Sequence, residues 1–458
     1  MTTFQTIAEA ASAVEAGRLA PTALLDTCLA RAERLDGVLN VHITRLEEAA
    51  RVAARTAEAE IGAGHYRGPL HGIPVGLKDI YSTAGVHTTS SSRVHQDRVP
   101  EFDAVLVARL KQAGAIITGK LATYEFAFGG PSTDIPFPLP KNPWDMTRVT
   151  GGSSSGSAVA VATGMCLGAM GSDTAGSIRG PAGYCGLAGL KPTYGRLPLR
   201  GVMPLAYSLD TAGPMGWTAE DCALMFLALV DSADDEVTRW HKARKAGAAG
   251  KRVGVIRHFF EEDANAARES RGAVLAATSI LKAAGAEVID VRLSPLQDYH
   301  ACCLVILLSE AFEVHRRDLA ERPELYGESA RERLVAGAFI SAAEYVRANR
   351  VRGRLQHEML EALVGCDALL VPTNLSAAPP LSSARKLAIL EGPYLTSPFN
   401  VAGVPTLSVN AGFLDKHLPV GVSLAGRPNG EAELLALGEI VERAIGQREK
   451  RPPTALVE

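Results

Sequence analysis

The sequence predicts an α/β fold, a single domain built around one large and mostly buried sheet. Three observations predict it. Strand-like runs are interleaved with helical segments along the whole 458-residue chain. No Pro/Ser-rich linker or charge run divides it. Composition is that of a folded globule, with 47% hydrophobic residues and a net charge of only −3.

The elements follow in order. Residues 1–65 read as helices, with apolar residues at three- and four-residue intervals from Ala23 to Leu35 and from Thr44 to Ile61, the second closed by Gly62 and Gly64. PLHGIPVGLKDIYS reads as a buried strand with turn punctuation, and it carries one lysine, Lys78, in apolar surroundings. Asp103 is expected to cap a helix through Lys111 that ends at Gly114, with the strand AIITGK after it. A helix at Ala158–Met165 precedes the strand CLGAMGSD. VGVI near 253–256, AEVIDV at 286–291, DALLVPT, TLSVNA and PVGVSLAG supply later strands, and a helix at Glu431–Ala444 closes the chain. Residues 295–350 read as helices without a functional signal.

Composition excludes several functions. Lys plus Arg (47) nearly balance Asp plus Glu (50), so no broad basic field is offered to nucleic acid. The seven cysteines include no CxxC pair and no zinc spacing; Cys302 and Cys303 fall in the apolar run ACCLVILL, where free buried thiols are expected. The N-terminus lacks a basic n-region and an apolar h-region. The stretch from Val149 to Ser172 is uncharged and long, but its Ser/Gly content suits a loop and a small-residue helix, not a membrane span. A cytoplasmic setting is expected, with a small-molecule substrate, no metal and no other cofactor.

Two motif matches fail on context. Gly114 to Lys120 has Walker A spacing, but Leu121 replaces the magnesium-binding hydroxyl and AIIT is itself a strand. Gly152 to Gly156 fits the nucleophile elbow GxSxG, nominating Ser154, yet a Pro-containing loop precedes it; His258 is the best of the scattered histidines as a partner.

Eleven of the 44 glycines fall between Thr150 and Leu190, where an even spread would give about four. They accompany GGSSSGS at 151–157 and GSDTAGSIRGPAG at 171–183. Such loops bring backbone N–H groups close to a ligand and suit an anion or a developing oxyanion, although a turn packed for steric reasons has the same composition.

These segments, with GIPVGLKD at 72–79, AGAIITGKLATYEFAFG at 113–129, KNPWD at 141–145, SLDTAGPM at 208–215, SPFNVAGVPTLSVNAG and LPVGVSLAG, strongly resemble the amidase signature family of serine hydrolases, in the family's order. The resemblance implies one domain with a large mixed sheet covered by helices on both faces: a helical segment 1–65, a signature core 66–220 and a remainder 221–458. It implies a Ser–cis-Ser–Lys triad of Ser177, Ser153 and Lys78, with Ser177 as nucleophile. An oxyanion hole from the N–H groups of Thr174, Ala175, Gly176 and Ser177 is also implied, and Asp173 steadying that loop. Phe128 and Gly129 are candidates for the acyl pocket, Phe126 a further one, and the Pro-rich loop PSTDIPFPLP lies near the entrance. Arg179 is read as an ion-pair partner, not a substrate anchor.

The chemistry agrees with the residues. Amide cleavage needs a nucleophile, a base and oxyanion donors, and no His, Asp or Glu of these segments is placed as the base. Lys78 can serve only when neutral; lowering an ordinary value of about 10.4 to roughly 7–8 takes about 4 kcal/mol, which burial supplies. A lone lysine in an apolar strand is otherwise a snorkelling or ion-paired side chain.

Three activities are compared. The first is a stand-alone amidase, alone or as a homodimer. The second is the glutaminase component of a tRNA-dependent amidotransferase, which passes ammonia to a partner. Its relatives carry an acid a few residues before the TSPFNVAG segment, where this chain has Pro393, although Glu391 stands near. The third, a Gly-rich binding protein, leaves Lys78, Ser153 and Ser177 unexplained.

Overall fold

The computed structural model describes residues 6–231, 235–383, 392–415 and 417–453. Its eleven strands are β1 (His42–Arg45), β2 (Pro74–Lys78), β3 (Ile116–Leu121), β4 (Gly168–Asp173), β5 (Ala188–Lys191), β6 (Thr211–Gly216), β7 (Arg252–Val255), β8 (Glu287–Asp290), β9 (Ala368–Pro372), β10 (Thr406–Leu414) and β11 (Leu418–Gly426). They form one sheet in the order β1-β3-β2-β4-β6-β5-β10-β11-β9-β7-β8. Parallel groups β3-β2-β4 and β9-β7-β8 flank an antiparallel middle, so the sheet is mixed. Every residue of β2, β3, β4, β5, β6, β9 and β11 is buried, which requires cover on both faces. Fifteen α-helices among the described residues provide it. None of these is long and apolar enough to cross a membrane.

One helix is unusual. Ser155–Thr163 (SGSAVAVAT) is buried around its whole circumference. Its small side chains permit this: a Cβ on Gly156 would stand 2.6 Å from the Ala122 backbone nitrogen.

The structure corrects several expectations. Thr44 and Arg45 belong to strand β1, because His42–Arg45 pairs with the edge of β3, and the helix begins only at Glu47. Asp103 is no helix cap; its carboxylate accepts the Ala84 N–H and pairs with Lys111 at 2.7 Å. β5 and β6 were not expected from the sequence. β6 contains Pro214 in the middle of the sheet, tolerated where it faces Met170 across β4. The region 295–350 is helical as expected, with Leu296–Glu321, Glu328–Ala336 and the start of Ala342–Gly365.

Candidate active site

Strands β2 and β4 run side by side in the same direction, with Leu77 opposite Met170. Their carboxyl ends therefore open at one place, the usual location of a ligand crevice in an α/β sheet. Lys78 is the last residue of β2 and Asp173 the last of β4.

Lys78 is fully buried. Its Nζ donates to Ser153 Oγ at 2.7 Å and to Ser172 Oγ at 2.8 Å. Burial pulls its ammonium from the ordinary 10.5 down to about 7, against the opposing pull of the Asp173 and Asp210 carboxylates. The Gly152–Ser153 peptide is cis. Ser153 is fixed through its carbonyl, which accepts from Thr123 Oγ1 at 2.9 Å and from the Ser155 N–H at 2.8 Å. Gly152 is required before it, since a Cβ there would lie 2.1 Å from the Tyr124 ring.

The loop after β4 is organised by its own carboxylate. Asp173 Oδ1 accepts the Gly176 N–H at 2.8 Å and Oδ2 accepts the Ile178 N–H at 3.1 Å. Arg179 grips the same carboxylate from Nε and Nη2 at 2.9 and 2.8 Å. Burial alone would raise the Asp173 carboxyl, but the guanidinium overrides it and holds it well below the carboxylate range. Arg179 also donates to the Thr396 carbonyl at 2.9 Å, tying the C-terminal SPFNVAG segment to this loop. It is thus engaged as an ion-pair partner.

One expected oxyanion donor is already in use. The Gly176 N–H is committed to Asp173, while those of Thr174, Ala175 and Ser177 have no partner among the described residues. Gly176 instead provides the turn, at φ +132° and with a Cβ position 2.3 Å from Thr396 Oγ1. Ser177 is half-buried, and its carbonyl accepts the Ser154 N–H at 3.1 Å. Its hydroxyl has no hydrogen bond to Ser153 Oγ among the described residues, so Lys78 and Ser153 are joined directly and Ser177 is not.

Ser177 and the 174–176 loop line a cavity of about 340 Å³. Phe128 and Gly129 form part of its wall, as does Pro131 from the Pro-rich loop. Phe126 does not line it; that ring packs among His95, His315 and Tyr326. Tyr124, Tyr184, Pro393 and Tyr394 complete the wall, and no Asp, Glu, Lys or Arg lines it among the described residues. Glu391 lies outside them. Ser172, Tyr124, Tyr184 and Tyr394 were missed from the sequence. Ser172 meets Lys78 only through the pairing of β2 with β4, which the sequence does not display.

The two rejected motifs stay rejected. Lys120 is buried against Asp79 and the Tyr81 carbonyl. Ser154 is buried, its Oγ donating to the Ser172 carbonyl at 3.3 Å, and His258 packs edge-on against Phe259. Among the described residues no group of three or more His, Cys, Asp or Glu side chains is arranged to hold a metal ion.

A family model described as amidase matches residues 23–435. The chain belongs to the amidase family. Amidases of this family cleave carboxamide C–N bonds, and this chain is an amide-cleaving hydrolase. It is 34% identical to the A chain of the glutamyl-tRNA(Gln) amidotransferase of Chloroflexus aurantiacus, across 98% of each chain. It superposes on the peptide amidase of Stenotrophomonas maltophilia with a TM-score of 0.83 at 30% identity, covering 98% of both. A crystal structure described as an amidase gives 0.86 at 36% identity, covering 96% of this chain and all of that one. Amide cleavage needs a nucleophile, a proton acceptor and N–H donors for the oxyanion; serine hydroxyls, a buried lysine and N–H groups without a partner among the described residues lie at the ends of β2 and β4.

Proposed function

We propose that this amidase hydrolyses an uncharged carboxamide through an acyl-enzyme on Ser177. The observation that carries the proposal is the setting of Lys78: buried, poised near neutrality, and in contact with two serine hydroxyls, one of them on Ser153, whose neighbour Ser154 donates its N–H to the Ser177 carbonyl. Neutral Lys78 takes the proton of Ser153 as Ser153 takes that of Ser177, the Ser153–Ser177 contact forming as substrate enters. Ser177 Oγ bonds to the carbonyl carbon, and the N–H groups of Thr174, Ala175 and Ser177 receive the oxyanion. The C–N bond then breaks, the leaving nitrogen taking its proton from Ser153, which Lys78 replenishes. Water repeats the sequence on the acyl-enzyme to release the carboxylate. In this reading residues 66–220 carry the reaction, while Leu307, Asn374 and Tyr394 of the remainder complete the pocket.

A second reading is glutaminase activity within an amidotransferase, favoured by the name of the Chloroflexus aurantiacus relative. The cavity wall argues against it. Glutamine carries an α-ammonium and an α-carboxylate, and burying each without a counter-charge costs several kcal/mol; the described wall offers none, with Pro393 at the position of the expected acid. An uncharged amide avoids that cost. The seven free, buried thiols support a reducing, cytoplasmic setting, and the chain is proposed to act without a partner protein, alone or as a homodimer.

The test is a panel of aliphatic, aryl and peptide amides plus glutamine, read by released ammonia or amine against Ser177→Ala. Turnover of uncharged amides that vanishes in Ser177→Ala supports the proposal. Turnover that survives the substitution refutes the nucleophile, and glutamine as the best substrate favours the second reading.

A further inference from the structure

One wall of the cavity, Phe128 to Gly130, is held in place by a turn that needs support from its surroundings. It follows Phe126 and Ala127, two consecutive non-glycine residues at φ +50° and +61°, and contains Gly129 at +73°. Left-handed residues in succession persist only where the surroundings over-determine them. Those surroundings come from a distant part of the chain.

Arg333, on the helix Glu328–Ala336, is fully buried behind this wall. Its Nη2 donates to the carbonyls of Phe128 at 3.1 Å and Gly130 at 3.2 Å, and its guanidinium lies 5.6 Å from the centre of the Phe128 ring. The fit is close enough that a Cβ on Gly129 would fall 2.3 Å from Arg333 Nε. A second tie runs the other way. Glu125, just before the left-handed pair, is buried and accepts the Gly327 N–H at 3.0 Å, at the start of the same helix; Ser92 Oγ donates to its other oxygen at 2.6 Å. The wall and the helix are therefore latched at two points, about 200 residues apart in sequence. Arg333 does not itself line the cavity.

We infer that Arg333, assisted by Glu125, is a positioning residue that sets the shape of the Phe128–Gly130 wall and so selects the acyl group of the substrate. The inference rests on reading the cavity as the acyl pocket of Ser177. Nη2 reaches both carbonyls while the planar guanidinium lies beside the Phe128 ring, a combination that the shorter side chain and compact ammonium of a lysine do not reproduce. Losing the latch lets the wall relax, and an acyl group that packs on the wall feels the change while a two-carbon acyl group does not.

The test compares benzamide with acetamide in the full-length wild type, Arg333→Met, Arg333→Lys and Glu125→Gln. A small fluorophosphonate reports the reactivity of Ser177 independently. Arg333→Met should lower kcat/KM for benzamide by about 10- to 100-fold, mainly through KM, with acetamide within about 2-fold and the labelling rate unchanged. Arg333→Lys should resemble Met, and Glu125→Gln should shift selectivity in the same direction by less. Equal losses on both amides in Arg333→Lys and Glu125→Gln, unchanged selectivity, or full rescue by Lys would overturn the inference. Should Arg333→Met fail to fold, the Lys and Gln variants decide by the same criteria. A wild type with no Ser177-dependent turnover would instead refute the proposed function itself.

Discussion

Two buried lysines on neighbouring strands show how one fold makes a base from one and a strut from the other. Lys78 closes β2 and Lys120 lies in β3, with Leu77 opposite Lys120 and Lys78 opposite Leu121. Both are fully buried. Lys120 contacts a carboxylate, Asp79 Oδ1 at 3.3 Å, and also donates to the Tyr81 carbonyl at 2.7 Å and Thr88 Oγ1 at 2.6 Å. Lys78 meets two serine hydroxyls and, among the described residues, no carboxylate. Burial pulls Lys120 down only to about 8, against Asp79, whereas Lys78 falls to about 7. Burial makes a lysine willing to lose its proton, and the contacting partner decides whether it does.

The largest effect that sharpens this contrast is on turnover. Lys78→Ala should lose about 10²- to 10⁴-fold in kcat, the range of a general base, with thermal unfolding little changed because a buried charge with no carboxylate contact has gone. Lys120→Met should do the reverse. Removing one partner of a buried pair costs about 3–5 kcal/mol, so denaturant unfolding should show that loss while turnover per folded molecule stays near wild type. If Lys120→Met were stable and inactive, the contrast would be broken.

A medium effect is expected in pH dependence. The folded chain gives up the Lys78 proton near 7 and the unfolded chain near 10.5. The penalty of burying that charge is thus full below 7 and fades as pH rises towards 10.5, so Lys78 makes stability rise across that window. Activity should rise with it: kcat/KM should show an acid limb near 7, absent from the residual activity of Lys78→Ala. The smallest effect belongs to Ser172. Ser172→Ala removes one acceptor of the Lys78 ammonium, worth about 1–3 kcal/mol for a charged hydrogen bond. The acid limb should move to lower pH with kcat reduced by less than in Lys78→Ala. A shift to higher pH would show that Ser172 stabilises the neutral amine.

The same contrast marks what could be read in the sequence. The Lys78 side was legible because its residues lie in short segments: β2 with its one lysine, and the two Gly/Ser loops on which the family resemblance implies Ser153 and Ser177. The wall side was not. Arg333 reaches carbonyls some two hundred positions earlier, and Tyr394 shares the cavity with Tyr124 only because the sheet order brings their segments together. β6 was missed for a different reason. A strand buried on both faces has no alternation to detect, and Gly213 and Pro214 read as a turn when the neighbouring strands are not known. The bond from the Gly176 N–H to Asp173 Oδ1 was not legible either, since it depends on how the loop folds back on its own carboxylate.

The central claim is that Ser177 is the nucleophile and Lys78 the base that activates it. Peptide mapping by mass spectrometry after brief fluorophosphonate treatment measures this directly. The account predicts a single adduct on Ser177 in the wild type, formed at least about 100-fold more slowly in Lys78→Ala. An adduct on Ser153 or Ser154, or labelling of Ser177 at an undiminished rate without Lys78, would contradict it.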